Sequence, residues 1–145
     1  LVVDRLKKKW ETAKKLVPRA VIDATAGSRI GIVSLGSCDG AVREAISILR
    51  SRGVAVDYMR VRAFPFTEDV ERFLAAHDLL FVVEQNRDAQ FRALLTLETG
   101  VDKAKLRSLL HYDGMPVSSD FIVEGVLAEV RPVAPAAADR AAAVQ

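Results

Sequence analysis

The chain has 145 residues, half of them hydrophobic and 28% charged, a balance that excludes overall disorder and fits one domain with a real core. Its 21 Lys and Arg against 19 Asp and Glu leave a net charge of +2, spread over several segments, which argues against nucleic-acid binding. The single cysteine, Cys38, excludes an internal disulfide and the thiolate set of an ordinary iron–sulfur cluster.

Nothing near Leu1 resembles a signal peptide, and no run approaches the ~20 apolar residues of a membrane span, so a cytoplasmic location without membrane attachment is expected. An opening Leu predicts that the chain starts inside a longer natural polypeptide.

Val3, Leu6, Trp10, Ala13 and Val17 recur at steps of three and four, which predicts an amphipathic helix ended by Pro18. Residues 1–18 therefore read as a helix whose stripe packs on the domain or on a preceding one. Lys7, Lys8 and Lys9, with Lys14 and Lys15, form either its solvated face or a surface for an acidic partner.

Residues 19–130 read as the α/β domain. Ile30 to Leu35, Val54 to Val61 and Leu79 to Val83 are short apolar β-rich runs separated by helical periodicity, the alternation of parallel strands and crossover helices. The helix after Leu35 buries Val42, Ala45, Ile46 and Leu49 and ends at Gly53, suited to a left-handed cap. Thr67 before Glu68 and Asp69 predicts the N-cap of a helix burying Val70, Phe73 and Leu74. Asn86 is expected to start a helix through Phe91, Leu94 and Leu95 that ends near Gly100. Leu106 to His111 is a further strand, and Ser118 or Ser119 caps a last helix carrying Ile122, Val126 and Val130. Val21 and Ile22 supply a short edge strand. From residue 131 to 145 the Ala and Pro richness predicts a mobile tail.

Candidate chemistry gathers where strands end. Gly36-Ser37-Cys38-Asp39-Gly40 follows a strand and opens a helix, where backbone N–H groups can hold an anion; Gly36, Ser37 and Gly40 are the candidate contacts. It lacks the G-x-G-x-x-G and G-K-[ST] fingerprints, so a structural turn is the other reading. Cys38 at a helix N-terminus is either a thiol of lowered pKa or an inert one. His77 and His111 offer no metal or Cys-His spacing. Glu84-Gln85-Asn86-Arg87-Asp88 follows a wholly apolar strand, at the sheet edge where ligands or partners bind, or simply starts a helix. Arg60 and Arg62 with Phe64-Pro65-Phe66 occupy the equivalent end of the previous strand, and the two phenylalanines belong either to a protein contact or to the core.

Taken in order, Gly36-Ser37 with Gly40-Ala41-Val42-Arg43-Glu44-Ala45, Arg60 to Phe66, Val82 to Gln90 and His111 to Pro116 resemble the C-terminal domain of the α subunit of 2-oxoacid:acceptor oxidoreductases, especially the 2-oxoglutarate:ferredoxin type. The resemblance runs from about Val3 to Val130. It implies a three-layer α/β/α domain like the transketolase C-terminal domain, with about five mostly parallel strands and one antiparallel edge strand.

The complete enzymes of that family decarboxylate a 2-oxoacid with thiamine diphosphate, pass electrons through iron–sulfur chemistry to ferredoxin and release an acyl-CoA. The resemblance implies thiamine diphosphate, magnesium and the iron–sulfur cluster elsewhere in the complex, none in this chain, and a non-catalytic role here. The Tyr-Pro-Ile-Thr-Pro and Gly-Asp-Gly segments that serve the cofactor in the family are absent from this sequence. The implied partners are the rest of the α subunit and a thiamine-binding β subunit, with ferredoxin reached through the whole complex. Glu84, Asn86 and Gln90 match the family's polar strand-end motif and, with Arg62, Phe64 and Phe66, form the expected interface. The rival reading is a freestanding module that binds phosphate or coenzyme A at Ser37 to Gly40.

Overall fold

The computed structural model describes residues 2–131. The order of elements is α1 (Val2–Leu16), β1 (Val21–Asp23), β2 (Ile30–Leu35), α2 (Asp39–Ser51), β3 (Asp57–Val61), α3 (Glu68–Ala76), β4 (Leu79–Glu84), α4 (Gln90–Thr99), β5 (Leu106–Leu110) and α5 (Ser119–Leu127). Single 3₁₀ turns, Gly36–Cys38 and Lys103–Lys105, precede α2 and β5.

The five strands form one sheet in the order β1-β3-β2-β4-β5. Four are parallel, and β1 runs antiparallel to β3 with Val21 opposite Arg60. This is the mostly parallel sheet with one antiparallel edge strand that the sequence led us to expect.

Side chains alternate across the sheet, and both faces are covered. Ile32, Tyr58, Phe81, Val83 and Leu109 point to α2 and α5. Val33, Met59, Leu80, Val82 and Leu106 point to α3 and α4. That is why β4 is apolar from Leu79 to Val83: every residue from Leu80 onward is buried. Two glycines permit the close approach of these layers. A β-carbon on Gly31 would lie 2.9 Å from Phe73 Cε1 of α3, and one on Gly125 of α5 would lie 2.5 Å from Leu109 Cδ2.

Two element starts and one cap differ from expectation. The third strand starts at Asp57, since α2 ends in a Schellman motif: Val54 N–H donates to Leu49 O and Gly53 N–H to Arg50 O, with Gly53 at φ 79°. Val54 and Val56 are buried all the same; Ala55 O accepts from Ser28 and Val56 O from Arg50 instead of from a ladder. Thr67 holds the N-cap position of α3, but its hydroxyl makes no capping bond. The fourth helix begins at Gln90, four residues after Asn86. The tail expected beyond Val130 lies, from residue 132, outside the described residues.

Helix α1 packs into neither layer and buries none of its residues. Trp10 is 42% exposed and touches the domain through its ring against Phe64, with centroids 5.2 Å apart. What holds the helix is its exit: Arg62 Nε donates to Arg19 O (2.7 Å) and Ala20 N–H to the buried Asp69 (3.0 Å).

Candidate functional site

Parallel strands deliver their carboxyl ends to one edge, and here β2, β3 and β4 bring the polar segments together. At the end of β2, Gly36 takes φ 64°, a conformation that favours glycine, and starts the 3₁₀ turn into α2. Ser37 Oγ accepts a hydrogen bond from Gln85 Nε2 (3.0 Å), and Gln85 Oε1 accepts from Val117 N–H (3.1 Å). Gln85 thus clasps the β2–α2 turn to the segment before α5. Gly40 leaves open space at its α-carbon.

The first turn of α2 already carries an anion of its own. Asp39 accepts from Tyr58 Oη (2.9 Å) and from Arg43 (3.1 Å), and Arg60 Nη1 lies 3.5 Å away. Burial pushes the Asp39 carboxyl up, but the bonds from Arg43 and Tyr58 and the charges of Arg43 and Arg60 outweigh it and hold the group below the usual range. Tyr58 is fully buried, bonded to Ser34 Oγ at 2.7 Å as well, and burial above all drives its phenol far up. An external phosphate at this turn meets a carboxylate where the helix dipole is strongest.

Cys38 is buried in the same turn, and burial, with the charge of Glu84 added, raises its pKa. The thiol of lowered pKa is therefore not what forms; desolvation outweighs the helix end. His77 sits at the opposite end of the sheet, where its ring nitrogens meet Phe73 O (2.7 Å) and Asp57 Oδ2 (3.0 Å). His111 lies at the end of β5, 3.5 Å from Asp113 and edge-on to Phe121.

At the end of β4 the structure reassigns a residue. Glu84 is 2% exposed. Its Oε1 accepts from Phe91 N–H (2.6 Å) and Asn86 Nδ2 (2.8 Å), and its Oε2 accepts from Arg92 N–H (3.1 Å). These are orphan donors of the first turn of α4, so Glu84 caps that helix from the preceding strand. Asn86 Oδ1 accepts from the N–H groups of Asp88 (3.1 Å) and Gln90 (3.3 Å), which shapes the intervening loop. The loop closes through Ala89 at φ 51°.

Of the residues expected at an interface, Arg62, Phe64 and Gln90 are exposed and Asn86 half-exposed, whereas Glu84 and Phe66 are buried within the domain. Glu84 spends its oxygens on α4, and Phe66 joins the α3/α4 core, stacked edge-on between Phe64 and Phe91. Beside them, a cleft of about 610 Å³ opens at the ends of β2 and β3, floored by Val61, Phe66, Phe91 and Leu94 and rimmed by Arg60, Arg62 and Phe64. Sequence reasoning missed the clasp of Gln85 and the Tyr58–Asp39–Arg43 cluster. The spacing of Asp39 and Arg43, one helical turn apart, is the only local sign of either.

Among the described residues the side chains do not fit a magnesium site or an iron–sulfur cluster. Among the described residues no three His, Cys, Asp or Glu side chains gather to hold a metal, and the one thiol is buried. Among the described residues, too, no helix is long and apolar enough to cross a membrane.

Comparison with known proteins agrees with this architecture. Residues 28–109 match the family of the pyruvate:ferredoxin oxidoreductase core domain II. The chain is 30% identical over 129 residues to the 2-oxoacid:ferredoxin oxidoreductase subunit alpha of Saccharolobus solfataricus, covering 86% of this chain and 20% of that protein. It is 27% identical over 135 residues to the 2-oxoacid:ferredoxin oxidoreductase 2, subunit alpha, of Aeropyrum pernix, covering 90% of this chain and 21% of the relative. The chain thus spans about a fifth of the length of these relatives. Among solved structures, the 2-oxoglutarate:ferredoxin oxidoreductase of Magnetococcus marinus, with 2-oxoglutarate, coenzyme A and succinyl-CoA bound, superposes with a TM-score of 0.74 at 25% identity, over 83% of this chain and 21% of the other. By sequence family, by its α-subunit relatives and by fold, the chain belongs to the pyruvate:ferredoxin oxidoreductase core domain II family.

Proposed function

We propose that this chain is the C-terminal assembly domain of a 2-oxoacid:ferredoxin oxidoreductase α subunit and that it performs no step of the chemistry itself. The observation that carries the reading is how the strand-end polar groups are used. Glu84, Gln85, Asn86, Ser37 and Asp39 are all bonded to neighbouring parts of the same domain, and Cys38 is buried with a raised pKa. A general base or nucleophile needs an accessible, reactive group, and these side chains are spent on the fold instead. Exposed apolar side chains cluster at α1 and Phe64, as expected of a surface that a neighbour covers.

The complete enzyme oxidatively decarboxylates a 2-oxoacid to its acyl-CoA and reduces ferredoxin. Its cofactors reside in the rest of the α subunit and the β subunit. We assign 2-oxoglutarate as the 2-oxoacid, supported by the ligands of the Magnetococcus marinus enzyme. The assembly works in the cytoplasm.

The test compares the isolated chain with the complex that carries it, each given 2-oxoglutarate, coenzyme A and a viologen acceptor. The expected outcome is viologen reduction by the complex alone, with kcat/KM for 2-oxoglutarate at least tenfold above that for pyruvate. Turnover by the isolated chain would overturn the non-catalytic role, and a preference for pyruvate would overturn the substrate.

A further inference from the structure

Helix α1 is held at one end and exposed from Val2 to Thr12. Arg62 and Asp69 fix the segment that leaves it, yet Val3, Leu6 and Trp10 stand on one face that only the ring of Phe64, against Trp10, partly covers. This face continues into the domain. Trp10 meets Phe64, Phe64 meets Phe66 and Phe66 meets Phe91, each pair edge-on, so an aromatic ladder joins the stripe to the cleft at the ends of β2 and β3.

The charges that border the stripe most closely are positive. At about 100° per residue, Lys7 and Lys9 border the stripe on either side, while Asp4 and Glu11 lie farther round the helix. Neither lysine has a carboxylate partner among the described residues, and Arg62 at the cleft donates to a backbone carbonyl that leaves its charge unanswered. We propose that the α1 stripe and the adjoining cleft form one docking surface for an acidic amphipathic segment of a neighbouring polypeptide, whose apolar side chains cover Leu6 and Trp10 and whose carboxylates face Lys7, Lys9 and Arg62.

This rests on the reading of the chain as an assembly domain and adds the chemistry of its partner. A lipid surface shares the taste for a basic amphipathic helix. Two features favour a protein: the cleft is a concavity of about 610 Å³, which a flat bilayer does not fill, and its contacts are aromatic and arginine side chains, the types enriched in protein interfaces.

Trp10 is the chain's one tryptophan, so its fluorescence reports this site alone. The 145-residue chain is titrated with two synthetic amphipathic helices that share a leucine stripe, one flanked by glutamates and one by lysines, and separately with phosphatidylserine vesicles. The glutamate-flanked peptide is expected to shift Trp10 emission to the blue and to bind at least tenfold more tightly, a preference that shrinks in high salt. Leu6→Asp abolishes the shift, and Lys7→Glu with Lys9→Glu reverses the preference; unchanged circular dichroism shows that both variants fold. Equal binding of the two peptides, or a shift with vesicles and with neither peptide, overturns the proposal. Copurification with oxidoreductase subunits tests the assembly reading separately. A chain that copurifies but shows no peptide preference loses only the partner chemistry, and one that discriminates between peptides but copurifies with no such subunit loses only the assembly reading.

Discussion

Two strand-to-helix junctions of this sheet make the same feature and fill it differently. At the β2–α2 junction the carboxylate is Asp39, from the helix's own first turn, partly exposed and bonded to the side chains of Arg43 and Tyr58 beside Arg60. At the β4–α4 junction it is Glu84, from the end of the preceding strand, buried and bonded to backbone N–H groups and one amide. A helix N-terminus at the carboxyl edge of a parallel sheet attracts an anion. In this domain the chain places a carboxylate of its own at each junction, and both are bonded within the domain.

The comparison breaks most readily at Glu84. Glu84→Gln keeps the shape but places an NH₂ group where a carboxylate oxygen accepted an N–H bond, leaving buried donors face to face. Losing a buried acceptor of this kind costs about 2–4 kcal/mol. Urea denaturation should show that loss, and a change below about 1 kcal/mol would show that Glu84 does not anchor α4.

Gln85 ties the first junction to the segment before α5 through Ser37 and Val117 N–H. Because the side chain is exposed, Gln85→Ala is expected to cost only about 1 kcal/mol. It should speed amide exchange at Val117 while leaving the amides of α4 unchanged. Faster exchange in α4 as well would mean that the two junctions act as one unit.

Asp39→Asn sharpens the contrast further, since it removes a charge held mainly by surface arginines and should cost less than about 1 kcal/mol at neutral pH. The folded-state pKa of Asp39 is depressed, so its stabilisation is fully present above the unfolded value of about 3.9 and is lost as pH falls through the lower folded value. The stability difference between wild type and Asp39→Asn should therefore be constant from pH 7 to about pH 5 and close at more acid pH. A difference that persists unchanged below pH 3 would place the effect in packing instead of charge.

The sheet was legible in the sequence because both its faces are covered: β2 and β4 read as continuous apolar runs, and the helices between them carry one-sided stripes. The start of β3 was not, since Val54 and Val56 are as apolar as ladder residues but serve the end of α2. At the candidate site, local rules placed Asn86 at a helix start, and the family resemblance implied an interface role for Glu84. The cap that forms instead reaches from Glu84 to Phe91 and Arg92 across a loop, a span that N-cap patterns do not cover. Phe64 and Phe66 read alike in sequence, and only the path of the β3–α3 loop separates the exposed ring from the buried one. Gly31 and Gly125 carried no signal because the side chains that crowd them come from distant segments.

The smallest expected effect has the opposite sign and comes from the price of capping a helix from a strand. To bring Glu84 beneath the first turn of α4, the loop must reverse, and Ala89 takes the reversal at φ 51° and ψ 42°. A residue with a β-carbon is strained there by roughly 1 kcal/mol, whereas glycine is not. Glycine also gives the unfolded chain more freedom, so Ala89→Gly should stabilise by about 0.5 kcal/mol. Ala93→Gly, one turn into the same helix and exposed, meets only the entropy and should destabilise by about 1 kcal/mol. Opposite signs for these two substitutions in urea denaturation would locate the strain in the loop that the Glu84 cap requires. Destabilisation by both would mean that Ala89 bears no strain and that the β4–α4 junction closes as easily as the β2–α2 junction, where Gly36 makes the turn.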